Sequence, residues 1–505
     1  MTRKGQPRHQ GWGRRVVRAG SWSFGLHVAE TLLGLLRFVV LARLLAPADF
    51  GLFGIGMLAM LAMDAFTRTG FLPALVQREG DITPCLDTAW SVHALRGVLL
   101  ALLLLLLAPL VAGFFEAREA LPMVRVISLC LVLQGLSNIA VVFFQKELQF
   151  HKQFAYRFSG VAVELLVSVG AALLLGTAWA LVYGLVAGDL ARLVASYLAH
   201  PYRPGFRLDR EVIRSLFHYG RWVTLNGILV FISVRGAGAV VGKIVGVAGL
   251  GLFQMAGRII QTAFNDFMTA VGNVAFPTFA GLQHEPERAA RVYLALTGFC
   301  LAVILPMALG ILILGREFTV LFLGDRWLPM VPALQILTVS GVLNAVRITG
   351  RPVFMGQGRP RVVFQMQCAR VGVLAVTVVP LTLQWGITGA AVAVLMGRAG
   401  GFAVFARNLK QALPVRAGEL AGTLVLPALA SLIMWGLLWL LQIVGPEAAG
   451  GPPGMGWFCV RVAAGAACYA TVLSLGLWLT PGDLPLKSAA RLLIPRGRPR
   501  EDLGG

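Results

Sequence analysis

Charge is scarce in this sequence: Asp, Glu, Lys and Arg together supply 13% of the residues, against 57% hydrophobic, and the mean hydropathy is +0.77. A soluble domain needs a polar, charged surface to meet water, so this scarcity excludes one and places the chain in lipid. Acid is scarcer still. The 23 Asp and Glu are outnumbered by 44 Lys and Arg, for a formal net charge of +21. In a soluble protein that excess would point to nucleic acid. Here no basic helix interleaved with exposed aromatics occurs, and the basic residues gather in short tails and loops between apolar runs. Nucleic acid is therefore excluded as a partner, and membrane lipid is the expected one.

Cysteine is sparse and unpaired in pattern. Cys85, Cys130, Cys300, Cys368, Cys459 and Cys468 are scattered, mostly within apolar runs, and read as small apolar residues. Signatures of catalysis are missing too: there is no HExxH, no GxSxG, no ligand-spaced His or Cys cluster, and no acidic pair in a large loop. The run Gly236-Ala-Gly-Ala-Val-Val-Gly242-Lys243 resembles a phosphate loop. Its glycine spacing is wrong, no Ser or Thr follows Lys243, and it sits in an apolar helix, where small residues suit close packing. The reading is of a protein that is not an enzyme, with no catalytic residue, metal site or cofactor.

What is abundant is Gly (59) and Pro (25), both tolerated in membrane helices because neighbouring helices satisfy the freed backbone. A spanning helix needs about 20 mostly apolar residues. Such segments occur near 22–42, 52–76, 88–114, 122–144, 154–176, 178–199, 219–242, 249–276, 292–315, 329–350, 361–383, 385–406, 419–443 and 457–480. Two of the connections, within 154–199 and 361–406, are very tight turns. The first segment follows Arg3, Lys4, Arg8, Arg14, Arg15 and Arg18 but contains Glu30 and Arg37, so it is read as a retained helix rather than a signal peptide.

Orientation follows from the basic residues. Every second connection carries them, among them Lys146, Lys152, Arg203, Arg207, Arg288, Arg291, Arg359, Arg361, Arg407 and Lys410, and the tail adds Lys487 and Arg491. The opposite connections hold little beyond Arg43, Arg118, Lys243, Arg316 and Arg326. About fourteen helices with both termini in the cytoplasm satisfy this asymmetry. The polar stretch His200–His218 separates the first six helices from the next six. The expected organisation is a six-helix bundle over 1–200, a cytoplasmic linker over 201–218, a second bundle over 219–410, and two further helices with a basic tail over 411–505. Arg43 with Gly51-Leu52-Phe53 recurs as Lys243 with Gly251-Leu252-Phe253, the mark of a parallel repeat.

Ionisable residues inside apolar runs cost roughly 2.5–3.5 kcal/mol each at mid-membrane, so they should face a watery cavity or one another. They are Glu30, Arg37, Asp64, Arg68, Arg96, Glu164, Asp189, Arg235, Arg258, Asp266, Arg370 and Arg398. For Arg96, Asp189, Arg370 and Arg398 the favoured reading is structural pairing or snorkelling. Asp64 and Arg68 stand at i and i+4 and could pair. Arg37, Arg68, Arg235 and Arg258 lie on the first two helices of each half and are the candidate substrate-binding residues, because a guanidinium grips phosphate oxygens bidentately and stays charged in low dielectric.

The chain resembles the polysaccharide and O-antigen flippases of the multidrug/oligosaccharidyl-lipid/polysaccharide exporter superfamily. The likeness is carried by Arg37-Phe-Val-Val-Leu-Ala-Arg-Leu-Leu-Ala-Pro47-Ala-Asp49-Phe-Gly51, continuing through Asp64 and Gly70-Phe-Leu-Pro-Ala-Leu-Val-Gln77-Arg78. Phe143–Phe150, Phe276-Pro277, Glu285-Pro-Glu-Arg288, Gly324-Asp-Arg-Trp327 and Gly356-Gln-Gly-Arg-Pro-Arg361 support it. The resemblance implies an all-α membrane protein with two six-helix bundles in a V-shaped, MATE-like arrangement plus two C-terminal helices. It also implies an inner-membrane exporter of undecaprenyl-diphosphate-linked oligosaccharide for exopolysaccharide or lipopolysaccharide assembly, working by alternating access. Glu30, Asp64 and Asp266 are the candidate sites for a coupled H+ or Na+. Ala237 and Gly238 stand where many relatives carry an acid. Two alternatives remain at this stage: a cation-coupled multidrug exporter of the same superfamily, and a membrane glycosyltransferase or polysaccharide polymerase.

Overall fold

The structure is a computed structural model that describes residues 30–67, 83–146, 149–445 and 454–479. Those residues are helical and contain no strand. The helices are α1 (residues 30–44), α2 (Pro47–Thr67), α3 (Thr83–Phe114), α4 (Ala120–Leu136), α5 (Phe150–Leu175), α6 (Trp179–Ala199), α7 (Arg210–Ile244) and α8 (Val247–Ile260). They continue as α9 (Asp266–Gly281), α10 (Pro286–Phe318), α11 (Val331–Gly356), α12 (Pro360–Ala412), α13 (Ala417–Val444) and α14 (Met455–Leu479).

Among the described residues, ten helical stretches are long and apolar enough to cross a membrane, and α4 is a shorter apolar helix. The chain is thus an all-α, multi-pass membrane protein. Ten is fewer than the fourteen expected, partly because α12 counts once although it holds two lengths. Gly386 breaks it with φ 57° and ψ −134°, a left-handed conformation that a residue with a Cβ adopts only under strain. The span expected at 249–276 is likewise divided, into α8 and α9, by a π-turn at Gln261–Asn265.

The chain forms two compact units, Met1–Gln254 and Met255–Gly505. In the first, Ile55 and Leu58 of α2, Leu104 of α3, Val124 and Ile127 of α4 and Val182 of α6 share one buried apolar core. Without a hydrophobic driving force between helices in lipid, close backbone approach must come from small residues. At Gly97 of α3 an added Cβ would lie 3.0 Å from the Gly135 Cα of α4, so the two glycines let those helices touch. Gly236–Gly242 lies inside the unbroken α7, and a Cβ at Gly242 would meet the Phe115 ring at 2.8 Å, a packing face rather than a phosphate loop.

The segment between α6 and α7 is held by side chains rather than left loose. Tyr202 donates its hydroxyl to Asp87, and the same carboxylate accepts the Gly205 amide at 3.0 Å. Burial and the Asp87 carboxylate push the Tyr202 phenol well above its ordinary pKa, so it remains a donor at neutral pH. Ser91 accepts the Arg207 amide at 2.9 Å.

In the second unit Phe279 of α9, Tyr293 of α10, Phe354 of α11 and Phe405 of α12 share a buried cluster. Leu314 of α10 packs with Met434 and Leu438 of α13, joining the last two helices to the rest of the unit.

Candidate functional site

Charge within the spans is concentrated in a few networks. In the first unit, Glu164 of α5 accepts from Arg37 of α1 and, at 3.2 Å, from Arg192 of α6. Arg192 also bonds Asp189, one turn earlier, at 2.6 Å, and Asp189 accepts from Gln134 of α4 at 2.9 Å. Gly188 makes this possible: a Cβ there would lie 2.8 Å from the Glu164 Cβ, so α6 presses against α5 where Glu164 stands. Four helices are thereby tied by two acids and two arginines, each charge answered by an opposite one in a site largely closed to water.

A second group lies between α2 and α3. Arg96 donates to the Asp64 carboxylate at 2.8 Å and to the Asp64 and Thr67 carbonyls at 3.0 Å each. Glu30 stands 4.0 Å from Arg157, a looser pairing on a partly exposed rim. In the last turn of α7, Lys243 bonds Glu116, which lies beyond the end of α3, at 2.7 Å and holds that exposed carboxyl below its ordinary pKa.

The candidate residues are therefore distributed as follows. Arg37 and Arg235 belong to the first unit and Arg258 to the second, in the last turn of α8. Arg37 is engaged by Glu164, and Asp64 by Arg96. Arg68 lies outside the described residues, as do the expected motif residues Gly70–Arg78. Asp266 opens α9 directly after the π-turn. The structural pairing expected of Arg96 and Asp189 is present.

In the second unit Arg461 of α14 is fully buried and bonds Glu317 of α10, with a further bond to the Leu438 carbonyl at 3.2 Å. Sequence reasoning passed over Arg192, Arg347 and Arg461. Each sits inside an apolar run, and the rule that flagged the others would have found them.

A family model described as polysaccharide biosynthesis protein matches residues 40–332, more than half of the chain. The chain belongs to this family. Among its polysaccharide biosynthesis relatives, the lipopolysaccharide biosynthesis protein WzxC of Escherichia coli (strain K12) is 24% identical over 67% of this chain and 69% of its own length. The succinoglycan biosynthesis transport protein ExoT of Rhizobium meliloti (strain 1021) is 23% identical over 70% of this chain and 71% of its own. Among solved structures, the lipid II flippase MurJ in an inward closed conformation shares the fold, with a TM-score of 0.72 over 91% of this chain and 98% of MurJ at 15% identity. The family match begins at Val40, within α1, and ends just inside α11, so it takes in α2 to α10 with Asp64, Arg96, Glu164, Asp189 and Arg192, while Glu30, Arg37 and Arg461 lie outside it.

Proposed function

We propose that this polysaccharide biosynthesis protein is an inner-membrane flippase that carries oligosaccharide units linked to undecaprenyl diphosphate outward for exopolysaccharide or lipopolysaccharide assembly. The observation that carries the reading is the family match to residues 40–332 on a chain whose spans are rich in arginine. The likeness to ExoT, a succinoglycan biosynthesis transport protein, and to the MurJ fold supports it. A diphosphate is the part of such a substrate least able to enter hydrocarbon, and arginines suit it because they stay charged and offer paired donors.

In this reading the two halves work by alternating access, the sugar and diphosphate crossing inside the protein while the polyprenyl chain stays in the bilayer. Arg37, Arg68, Arg235 and Arg258 are the residues assigned to the diphosphate. Glu30, Asp64 and Asp266 are assigned to a coupled H+ or Na+. Both termini face the cytoplasm.

The test is a strain deleted for this gene but retaining its sugar transferases. Lipid-linked repeat units should accumulate on the cytoplasmic leaflet and be cleared when the wild-type chain is restored. Units reaching the outer leaflet at the normal rate in the deleted strain would overturn the reading.

A further inference from the structure

Between Asp325 and Glu419 the sequence contains no Asp or Glu, yet it places Arg347 on α11 and Arg370 and Arg398 on the two lengths of α12. Packing brings the three together. A Cβ at Gly397 would lie 3.0 Å from the Arg370 carbonyl, and one at Gly401 would lie 3.3 Å from the Arg370 Cβ. The two lengths of α12 thus touch where Arg370 stands, next to Arg398. On the third side, Gly350 of α11 lies against the Phe405 ring of α12, one turn from Arg347. Arg347 and Arg398 are each within electrostatic reach of Arg370, and Arg398 feels the charge of Arg347.

Depth makes this arrangement costly. At about 1.5 Å per residue, Arg347 lies roughly 14 Å along its helix from Gly356, and Arg370 about 15 Å from Pro360. Those distances correspond to the middle of a hydrocarbon layer of about 30 Å. Several arginines elsewhere in the spans have acids: Arg37 and Arg192 have Glu164, Arg96 has Asp64, and Arg461 has Glu317. Among the described residues neither Arg347 nor Arg398 enters an ion pair, and the Nε of each is buried without a hydrogen-bond partner. Arg347 makes one neutral bond, to Asn344 at 2.8 Å. Their own helices hold no acid that could approach them. Arg347 and Arg398, like charges beside Arg370 with no acid partner among the described residues, call for an anion.

We propose that Arg347, Arg370 and Arg398 form a buried anion site within the second unit that takes a phosphate or diphosphate group. Three guanidinium forks offer more directed donors than a carboxylate or halide can accept, and a diphosphate presents both the oxygens and the charge. The site is separate from Arg37, Arg68, Arg235 and Arg258. Two sources bring such a group into the membrane: the headgroup of an anionic lipid, and the diphosphate of a lipid-linked sugar. The second rests on the flippase reading.

The test uses the full-length protein in phosphatidylcholine nanodiscs, its thermal unfolding followed by intrinsic tryptophan fluorescence while inorganic pyrophosphate is titrated. Pyrophosphate should raise the wild-type midpoint saturably, and Arg347→Gln or Arg398→Gln should weaken its binding about tenfold, with Arg398→Lys between them. Without pyrophosphate, Arg398→Gln should unfold at a higher temperature than wild type, because a repelling buried charge has been removed. That direction distinguishes loss of the site from a damaged fold. Competition by phosphatidylglycerol in the nanodisc would identify a lipid headgroup as occupant, and competition by polyprenyl diphosphate the sugar carrier; either supports the site. A pyrophosphate shift that is absent in wild type, or equal in wild type and Arg398→Gln, overturns it. The readout is independent of transport, so failure of the flippase reading in the deletion strain would leave pyrophosphate binding unchanged.

Discussion

Gly51 and Gly251 stand at the same place in the two copies of the Gly-Leu-Phe motif, and in the folded first unit each is where one copy's helix meets the other. A Cβ on Gly51 would lie 2.7 Å from the Val247 carbonyl carbon, and one on Gly251 would lie 2.9 Å from that of Pro47 and 3.0 Å from the Gly51 nitrogen. Pro47 opens α2 as Val247 opens α8. The contact is reciprocal, as it is between elements related by a local two-fold axis.

Because the obstacle at both glycines is backbone, no side-chain rearrangement can relieve it. Gly51→Val or Gly251→Val should destabilise the first unit by about 3 kcal/mol, the upper end of the range for overpacking. Gly238→Ala is the control, since the nearest atom to its added methyl is a Leu250 methyl at 3.7 Å. Detergent-extracted protein followed by size-exclusion fluorescence should show loss of the folded peak for the two valine variants and not for Gly238→Ala.

This contact shows what was legible in the sequence. The repeat of Gly51-Leu52-Phe53 as Gly251-Leu252-Phe253 was visible in the residues, as were the all-α class and the position of each apolar run. The break at Gly386 fell where a tight turn was expected. The partnerships of charged groups were not legible. Asp64 could be matched with Arg68 by its i, i+4 spacing, but its bond to Arg96 joins different helices, and no local rule reports a tertiary neighbour. Glu164 and Arg37 are separated by three intervening helices and meet only through packing. Apolar periodicity specifies that a helix is buried, but not which of its neighbours it faces.

Glu164 is the hinge of the first network, since Arg37 and Arg192 both depend on it. Glu164→Ala should cost about 3 kcal/mol, because it leaves Arg37 without its acid while Arg192 keeps Asp189. Arg37→Met with Glu164→Leu removes both charges and should recover most of that loss. Thermal unfolding checks stability, and polysaccharide export at matched membrane abundance checks function. If Arg37 also holds substrate, the double variant will be stable and inactive; a stable and active double variant would confine Arg37 to a structural role.

Arg461 and Glu317 pose a similar question without a substrate to complicate it. Their bond lies between α14 and α10, and Arg461 is 0% exposed. Arg461→Ala strands a buried carboxylate and should destabilise by about 3–5 kcal/mol, whereas Arg461→Met with Glu317→Leu should be near neutral. The loss should appear as earlier proteolysis in the connection between α13 and α14 in the single variant. Equal proteolysis of wild type and Arg461→Ala would show that α14 is held by its apolar contacts alone.

The last prediction concerns orientation, on which the direction of transport depends. Arg203 and Arg207 lie in the connection between α6 and α7, and Arg210 and Arg214 in the first turns of α7; short basic connections are retained on the cytoplasmic side because anionic lipid there attracts them and translocation would drag their charge across the bilayer. The connection is also braced, by Tyr202 and Gly205 on Asp87 and by Arg207 on Ser91, so the start of α3 must lie on the same side. A reporter active only in the cytoplasm should therefore be active when fused after Pro204, and a periplasmic reporter at the same place should be silent. A cysteine at Arg203 should resist a membrane-impermeant thiol reagent in intact cells and react once the inner membrane is opened. By the same bias, the connection carrying Arg118 should show the opposite behaviour. A periplasmic signal after Pro204 would reverse the assigned direction of every helix from α6 onward and remove the basis for outward transport. A cytoplasmic signal at both Pro204 and Arg118 would instead mean that one span between them does not cross, and α4, the short helix in that interval, would be the one to re-examine.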